Sequence, residues 1–484
     1  MCGVVGISTP GHEAAPLATT GLFALQHRGQ ESAGIAVTDG RGVMVYKDLG
    51  HVDQVLQEHR LESLRGDLAI AHCRYSTTGS TIWENSQPTL RMGPTRTVAV
   101  GHNGNLVNTR ELLEALPGGT SRLVGTTDTE LLTALLAIEP ADDLVDALLA
   151  LLPRVSGAYS LVVMDEGRVV GVRDPYGFRP LALGRLSLAD GTTGYVLASE
   201  TAALDVLGAE FVRDVEPGEM VILGEPGGPR SVRFAQGREN LCVFELIYFA
   251  RPDSYMLGRN LYEARRRMGE ALAREAPVDV DLVMPVPDTG APAAAGYAEA
   301  SGIPYREGMV RNRYAGRTFI QPSNGLRQRG VLVKLSALRE QVRDKRLVVV
   351  DDSIVRGNTT RQIVGLLRRA GAREVHVRIS APPIYHPCFY GIDTQIETEL
   401  IAATRSVDEI RDFIGADSLS YLSIGGVLDA IDLPRERFCF ACFDGNYPVP
   451  VPYDAGNHKL VLEPVELSTA VATAGMASAG VAGR

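Results

Sequence analysis

Two α/β domains in series, the second built on a parallel sheet, are what this sequence predicts. Three observations carry that expectation. The chain has 484 residues, more than one hydrophobic core ordinarily serves. Its first half alternates short apolar runs with Gly and polar turns and intercalates helical stretches, the order of a layered α/β domain. Its second half contains a strand, turn, helix and strand in succession, the parallel βαβ unit.

In chain order, residues 3–7, 34–37, 68–71, 98–100 and 159–164 read as strands, and 129–138 and 142–152 as helices. A passage rich in Gly, Pro and charge over 224–240 marks the boundary. It gives a first domain over 2–237 and a second over 238–462. Leu261, Met268 and Leu272 recur at helical spacing over 261–274, which leaves Arg265, Arg266 and Arg267 largely off the apolar stripe. Residues 282–286, 347–350 and 375–379 read as buried strands. A helix over 359–370 joins the last two, with Gly371 placed to end it. Beyond 462 the composition falls to Ala, Gly, Thr and Ser, so 463–484 reads as a disordered tail.

Lys and Arg total 48 against 58 Asp and Glu, an acidic balance that disfavours nucleic acid as a partner. The first residues lack the basic flank and continuous apolar core of a secretory signal. The longest apolar stretches, such as 131–138, are too short to span a bilayer. The expectation is a cytoplasmic protein with no membrane partner. Six cysteines, at 2, 73, 242, 388, 439 and 442, do not form a disulfide framework in that compartment; their scatter suggests separate tasks.

Cys2 directly follows Met1. Loss of that Met leaves a residue carrying both a thiol and an α-amine, and the amine can serve as base to the thiol without a histidine. Four further segments follow in order: 27–34 (HRGQESAG), 72–77 (HCRYST), 102–105 (HNGN) and 127–130 (TDTE). Together with Cys2-Gly3 they resemble the glutaminase domain of the N-terminal-nucleophile amidotransferases, an αββα sandwich. That resemblance implies Cys2 as nucleophile, with the Asn103 side chain and the Gly104 N–H as oxyanion donors. It implies Arg74 for the glutamine carboxylate and Asp128 for the ammonium. Without it, Arg74 and Asp128 would read as a surface ion pair. The histidines 27, 72 and 102 read as loop-holding hydrogen-bond partners rather than metal ligands.

Residues 348–360 (VVVDDSIVRGNTT) place two acids at the end of an apolar strand, then a turn with Gly and hydroxyls that opens a helix. Backbone N–H groups and the positive end of the helix favour phosphate there. Paired carboxylates suit ribose hydroxyls or a phosphate-bound magnesium. The Lys-Ser/Thr pair of a Walker A loop is missing. The segment resembles the diphosphate-sugar signature of type I phosphoribosyltransferases, built on a parallel sheet. The likeness implies that Asp351 and Asp352 contact the ribose of phosphoribosyl pyrophosphate. Its 5′-phosphate would lie in the turn of Ser353, Ile354, Val355, Arg356, Gly357, Asn358, Thr359 and Thr360. Residues 285–290 (PVPDTG) resemble the pyrophosphate-side loop of that family, with Thr289 joining Asp351 and Asp352 on magnesium, although Gly290 stands where Ser is common. The basic stretch 311–320, with Arg311, Arg313, Tyr314 and Arg317, resembles the flexible loop that closes over the sugar diphosphate, where water would compete.

Cys439 and Cys442 form a C-x-x-C, and Cys242 and Cys388 bring the set to four. Spacing alone leaves zinc and an iron–sulfur cluster both open. From Cys2 to about Pro450 the chain resembles the glutamine amidophosphoribosyltransferases, in the subgroup whose four cysteines hold a 4Fe-4S cluster. Cys73, left over, reads as a small apolar residue. The family reaction converts phosphoribosyl pyrophosphate, glutamine and water to 5-phosphoribosylamine, pyrophosphate and glutamate, opening purine synthesis. Magnesium, a homo-oligomer (tetramer or dimer) and inhibition by purine nucleotides are further implications. Residues 348–360 argue against the sugar-isomerase partner of glucosamine-6-phosphate synthase. The glutaminase motifs and acidic balance oppose a phosphoribosyltransferase-like DNA-binding regulator.

Overall fold

The computed structural model describes residues 1–312, 334–452 and 461–463. They form two compact units. The first comprises Met1–Leu241, Cys388–Gln395 and the described residues from Tyr447 onward; the second comprises Cys242–Pro387 and Ile396–Asn446. The division thus follows Leu241, and the 224–240 passage contributes the strand Arg230–Arg233 to the first unit.

Two antiparallel sheets make the first unit. One runs Glu210–Asp214, Ala182–Ser187, Thr193–Ala198, Gly3–Ser8, Leu68–Arg74, Ser32–Thr38, Val43–Leu49. The other runs Arg230–Arg233, Glu219–Leu223, Val169–Arg173, Gly157–Met164, Thr97–Leu106, Thr89–Met92. Their central strands, such as Gly3–Ser8, Leu68–Arg74 and Gly157–Met164, are buried along their whole length because both faces are covered. Val4, Ile70, Ala99, Val162 and Leu197 meet between the sheets. Val5, Ile7 and Val37 turn outward onto the helix Ala14–Ala24, and Val98, Val100, Leu161 and Val163 turn outward onto Asp128–Ile138 and Leu144–Leu151. Successive residues alternate between these layers, as a period of two requires. The result is helix, sheet, sheet, helix. The two outer helices start on side-chain caps: Thr127 accepts from the Glu130 N–H, and Asp143 from those of Val145 and Asp146.

In the second unit the strands Leu282–Pro285, Arg346–Asp351, Glu374–Ile379 and Ser418–Tyr421 pair in parallel in that order. Helix Asn358–Arg369 crosses between the second and third. Helix Leu261–Glu275 buries Leu261, Met268 and Leu272, but also Arg265. Here the expectation that Arg265 lies off the buried stripe is corrected. Its guanidinium donates to the carbonyls of Leu246 (2.8 Å) and Ala250 (2.7 Å), which lets a cation sit in the interior by satisfying its donors. Among the described residues no helix is long and apolar enough to cross a membrane.

Candidate active site

The first and fourth strands of the chain, Gly3–Ser8 and Leu68–Arg74, pair so that Gly3 stands opposite Cys73. This brings Cys2 to Arg74 and Tyr75 at the open end of the sheet. The Cys2 Sγ lies 3.4 Å from the Tyr75 N–H donor and 3.5 Å from its carbonyl. The Cys2 N–H donates to Asn103 Oδ1 at 3.1 Å. That leaves Asn103 Nδ2 buried and, among the described residues, without a hydrogen-bond partner. Beside it, a Cβ on Gly104 would fall 2.0 Å from the Ala158 carbonyl oxygen, so only glycine fits at this part of the cleft wall. A donor without a partner among the described residues, on the side chain that bonds the Cys2 N–H, is of the kind an oxyanion requires.

Cys2, Arg74, Gly104, His102 and Asp128 line one cleft. Arg74 and Asp128 are both buried rather than paired at the surface. Arg74 donates to the carbonyls of Thr78 (3.0 Å) and Ser80 (3.3 Å) and lies 3.6 Å from Glu31. Burial opposes ionisation of Asp128. It is outweighed by His102 and by N–H donors from Leu106 (3.0 Å) and Thr129 (2.9 Å), so the carboxyl is held below its usual range. A permanent carboxylate beside a guanidinium suits a zwitterionic amino acid. The Cys2 thiol is pushed up by burial, against the pull of the chain's amino group, the Tyr75 N–H and Arg74.

Of the three histidines, His72 and His102 lie within strands rather than on loops, and each of the three has a hydrogen-bond partner. His27 pairs with Glu200 (2.7 Å), His72 with the His102 carbonyl (3.1 Å), and His102 with Thr129 (3.2 Å) and the Ala158 carbonyl (3.2 Å). Cys73 is fully buried among apolar side chains.

In the second unit, Asp351 ends its strand and Asp352 follows, both buried. Asp351 Oδ1 accepts the Asp352 N–H at 2.9 Å, and Asp352 Oδ1 accepts the Ser353 hydroxyl at 2.6 Å. Thr289 is near enough to Asp352 to favour its ionised form, as are Ser353 and Arg265. Burial, joined at Asp351 by the neighbouring carboxylate, raises both acids above their usual range. Asn358 and Thr359 are exposed at the start of the helix, with Gly357 as its cap. Arg356 pairs at the surface with Glu399 (3.0 Å). The departure at Gly290 has a steric reason: its Cβ would sit 2.4 Å from the Val350 carbonyl oxygen. Arg311 is exposed and pairs with Asp288 at 3.0 Å. Arg313, Tyr314 and Arg317 lie outside the described residues, as do residues 464–484 of the expected tail; its first residue, Glu463, is a correction to that expectation, since hydrogen bonds from Ser80 and Thr126 hold it.

All four remaining cysteines are buried. Cys242, Cys439 and Cys442 belong to the second unit and Cys388 to the first. Tyr385 and His386, just ahead of Cys388, donate their N–H groups to the Cys442 carbonyl (3.0 Å each). Among the described residues no three His, Cys, Asp or Glu side chains are gathered closely enough to hold a metal ion.

Several residues around the thiol were not singled out in the sequence. Arg28 donates to the Cys2 carbonyl (2.9 Å) and to the fully buried Glu200 (2.5 Å). Gln87 ties the His102 N–H (2.8 Å) to the Thr129 hydroxyl (2.9 Å). Arg28 lies within a motif already noted, but Glu200 and Gln87 carry no local signal, since only long-range folding supplies their partners.

Residues 72–206 match the model of a glutamine amidotransferase domain, and residues 256–388 that of a phosphoribosyl transferase domain. The chain is 52% identical over 474 residues to the amidophosphoribosyltransferase of Mycobacterium tuberculosis, covering 96% of this chain and 89% of that one. It is 48% identical over 460 residues to that of Bacillus subtilis, covering 94% and 95%. The solved structure of the B. subtilis glutamine phosphoribosylpyrophosphate amidotransferase complexed with ADP and GMP matches with TM-score 0.86 and 47% identity, over 94% of this chain and 98% of that one.

Proposed function

This chain belongs to the amidophosphoribosyltransferase family, and from that premise we infer how its residues divide the reaction. The enzyme transfers the amide nitrogen of glutamine to phosphoribosyl pyrophosphate, the first step of purine biosynthesis. Glutamine enters the cleft with its carboxylate toward Arg74 and its ammonium toward Asp128. In the structure the Cys2 nitrogen is the peptide N–H after Met1. Loss of Met1 turns it into an amine, oriented by Asn103 Oδ1, that can take the proton from its own buried thiol. The thiolate attacks the carboxamide carbon, and the oxyanion falls to Asn103 Nδ2 and the Gly104 N–H. Collapse of that species expels ammonia and leaves a glutamyl thioester, which water hydrolyses to glutamate.

Ammonia then attacks C1 of the sugar diphosphate as pyrophosphate leaves. Asp351 and Asp352 orient the ribose hydroxyls, and the N–H groups of the 353–360 turn receive the 5′-phosphate. Two buried carboxylates, with the Thr289 hydroxyl near Asp352, are oxygen donors that fit magnesium, which when bound would neutralise the departing pyrophosphate. Four buried thiols suit a 4Fe-4S cluster, a structural group in this reading. Nucleophilic and ligating thiols favour a reducing, cytoplasmic compartment. The ADP and GMP held by the B. subtilis relative support regulation by purine nucleotides, and a homo-oligomer completes the reading.

What carries this reading is the buried Asn103 Nδ2, without a partner among the described residues and on the side chain that bonds the Cys2 N–H, next to the cleft that Cys2 lines with Arg74 and Asp128. Cys2→Ala is expected to abolish synthesis from glutamine and to spare synthesis from ammonium. Equal loss of both would contradict the division of labour.

A further inference from the structure

The far C-terminal residues reach the glutamine cleft. Leu462 is buried in the core under helix Asp128–Ile138, with Val461 packed against that core. This apolar anchor presents Glu463 to two loops that lie hundreds of residues away in sequence. A single carboxylate oxygen, Oε1, accepts the Ser80 N–H (3.0 Å), the Ser80 hydroxyl (2.8 Å) and the Thr126 hydroxyl (2.7 Å). Buried Asn85 closes the same ring from the other side: its amide donates to the Ser80 carbonyl (2.8 Å) and the Thr126 hydroxyl (2.9 Å), and its Oδ1 accepts the Thr126 N–H (2.7 Å).

Both loops end on substrate-facing residues. The Ser80 carbonyl also receives Arg74 Nη1 at 3.3 Å. Thr126 precedes Thr127, the cap of the helix whose first residue is Asp128. A shift of Ser80 therefore moves the partner of Arg74, and a shift of Thr126 moves the start of the helix that holds Asp128. Three hydrogen bonds onto one ionised oxygen are of the strong, charge-assisted kind.

We propose that Glu463 is a positioning residue for glutamine: it clamps the 80 and 126 loops together so that Arg74 and Asp128 keep the separation the amino acid requires. The inference rests on the assignment of glutamine to this cleft. Its effect falls on ground-state binding rather than on the thiol's chemistry, because Glu463 bonds neither Cys2 nor Asn103. All three donors meet one oxygen, so a glutamine side chain, whose amide oxygen can occupy that point, preserves the clamp in weakened form, whereas alanine deletes it.

The test compares full-length wild type, Glu463→Ala and Glu463→Gln in steady-state synthesis driven by glutamine and, separately, by ammonium. For Glu463→Ala the KM for glutamine should rise about tenfold, equivalent to about 1.4 kcal/mol. The kcat and the ammonium-driven rate should stay within about twofold of wild type. Glu463→Gln should bring KM back to within about threefold, a rescue that a general loss of fold would not give. An alanine variant with unchanged KM, or one whose glutamine- and ammonium-driven rates fall in parallel, overturns the proposal. Cys2→Ala run alongside separates the two claims. If it still uses glutamine, the assignment of the cleft is wrong and the clamp falls with it; if it loses glutamine use while Glu463→Ala behaves as wild type, only the clamp is wrong.

Discussion

Replacing Asn103 with alanine separates the chemistry of the thiol site from its architecture. Asn103 Oδ1 holds the Cys2 N–H at 3.1 Å, while Nδ2 is buried with no partner among the described residues. The lost bond to Cys2 is worth about 1 kcal/mol, and the Cys2 N–H left behind adds a desolvation penalty of about 1–3 kcal/mol. Against this, the variant no longer buries an unsatisfied amide donor, a relief of the same order. These contributions nearly offset, so the thermal midpoint should move by only a few degrees. The transition state has no such compensation. Deleting one oxyanion donor typically reduces kcat by about 100- to 1,000-fold, or roughly 2.7–4 kcal/mol. Glutaminase assays at saturating sugar diphosphate should therefore show kcat falling by that factor with KM for glutamine little changed. Thermal unfolding and ammonium-driven synthesis should be nearly normal. A variant that keeps kcat within about threefold of wild type, or loses affinity instead of turnover, would refute Asn103 as an oxyanion donor.

Asp351→Asn combined with Asp352→Asn should eliminate synthesis from both nitrogen sources while leaving glutamine hydrolysis measurable; intact ammonium-driven turnover would remove these acids from the sugar site. Glu200→Gln strands the buried Arg28 and should destabilise the protein by about 3–5 kcal/mol near neutral pH. Although burial alone would raise the Glu200 pKa, His27 and Arg28 depress it far below 4.5. Its contribution is therefore complete above that pH and declines as pH drops further. Unfolding midpoints of wild type and variant should converge on acidification from pH 7 into that range, and a constant gap would argue against the pairing. Cys439→Ser should lower bound iron and acid-labile sulfide together, from about four of each per chain for an intact cluster; purified wild type carrying zinc in their place would reject the cluster.

Much of the architecture was legible in the residues because the central strands of both sheets of the first unit and of the parallel sheet of the second are buried, so each of these reads as an apolar run. The strands Gly3–Ser8, Gly157–Met164 and Arg346–Asp351 extend the predicted runs by a residue or two. Asn358–Arg369 and Asp128–Ile138 are helices within a residue of expectation, since caps and Gly371 punctuate them locally. Sequence motifs likewise named Cys2, Gly104, Arg74 and Asp128, which line one cleft, and Asn103, which bonds the Cys2 N–H. The same reasoning misread Arg265, since helical periodicity records which face a residue occupies but not whether that face finds carbonyls to accept a buried guanidinium.

By itself, then, the order of residues pointed to two α/β domains and the type of chemistry, and singled out Cys2 and the paired acids as candidates, because those readings depend on local pattern and on the identity of a few side chains. Only the tertiary structure decided that Arg74 and Asp128 are buried, that Asn103 keeps an unused donor, that Glu200 secures Arg28 behind the thiol, and that Glu463 bridges Ser80 and Thr126. Each of these joins segments separated by tens to hundreds of residues. Hydrogen bonds and desolvation act through space, and no local pattern records which distant partner the folded chain will supply.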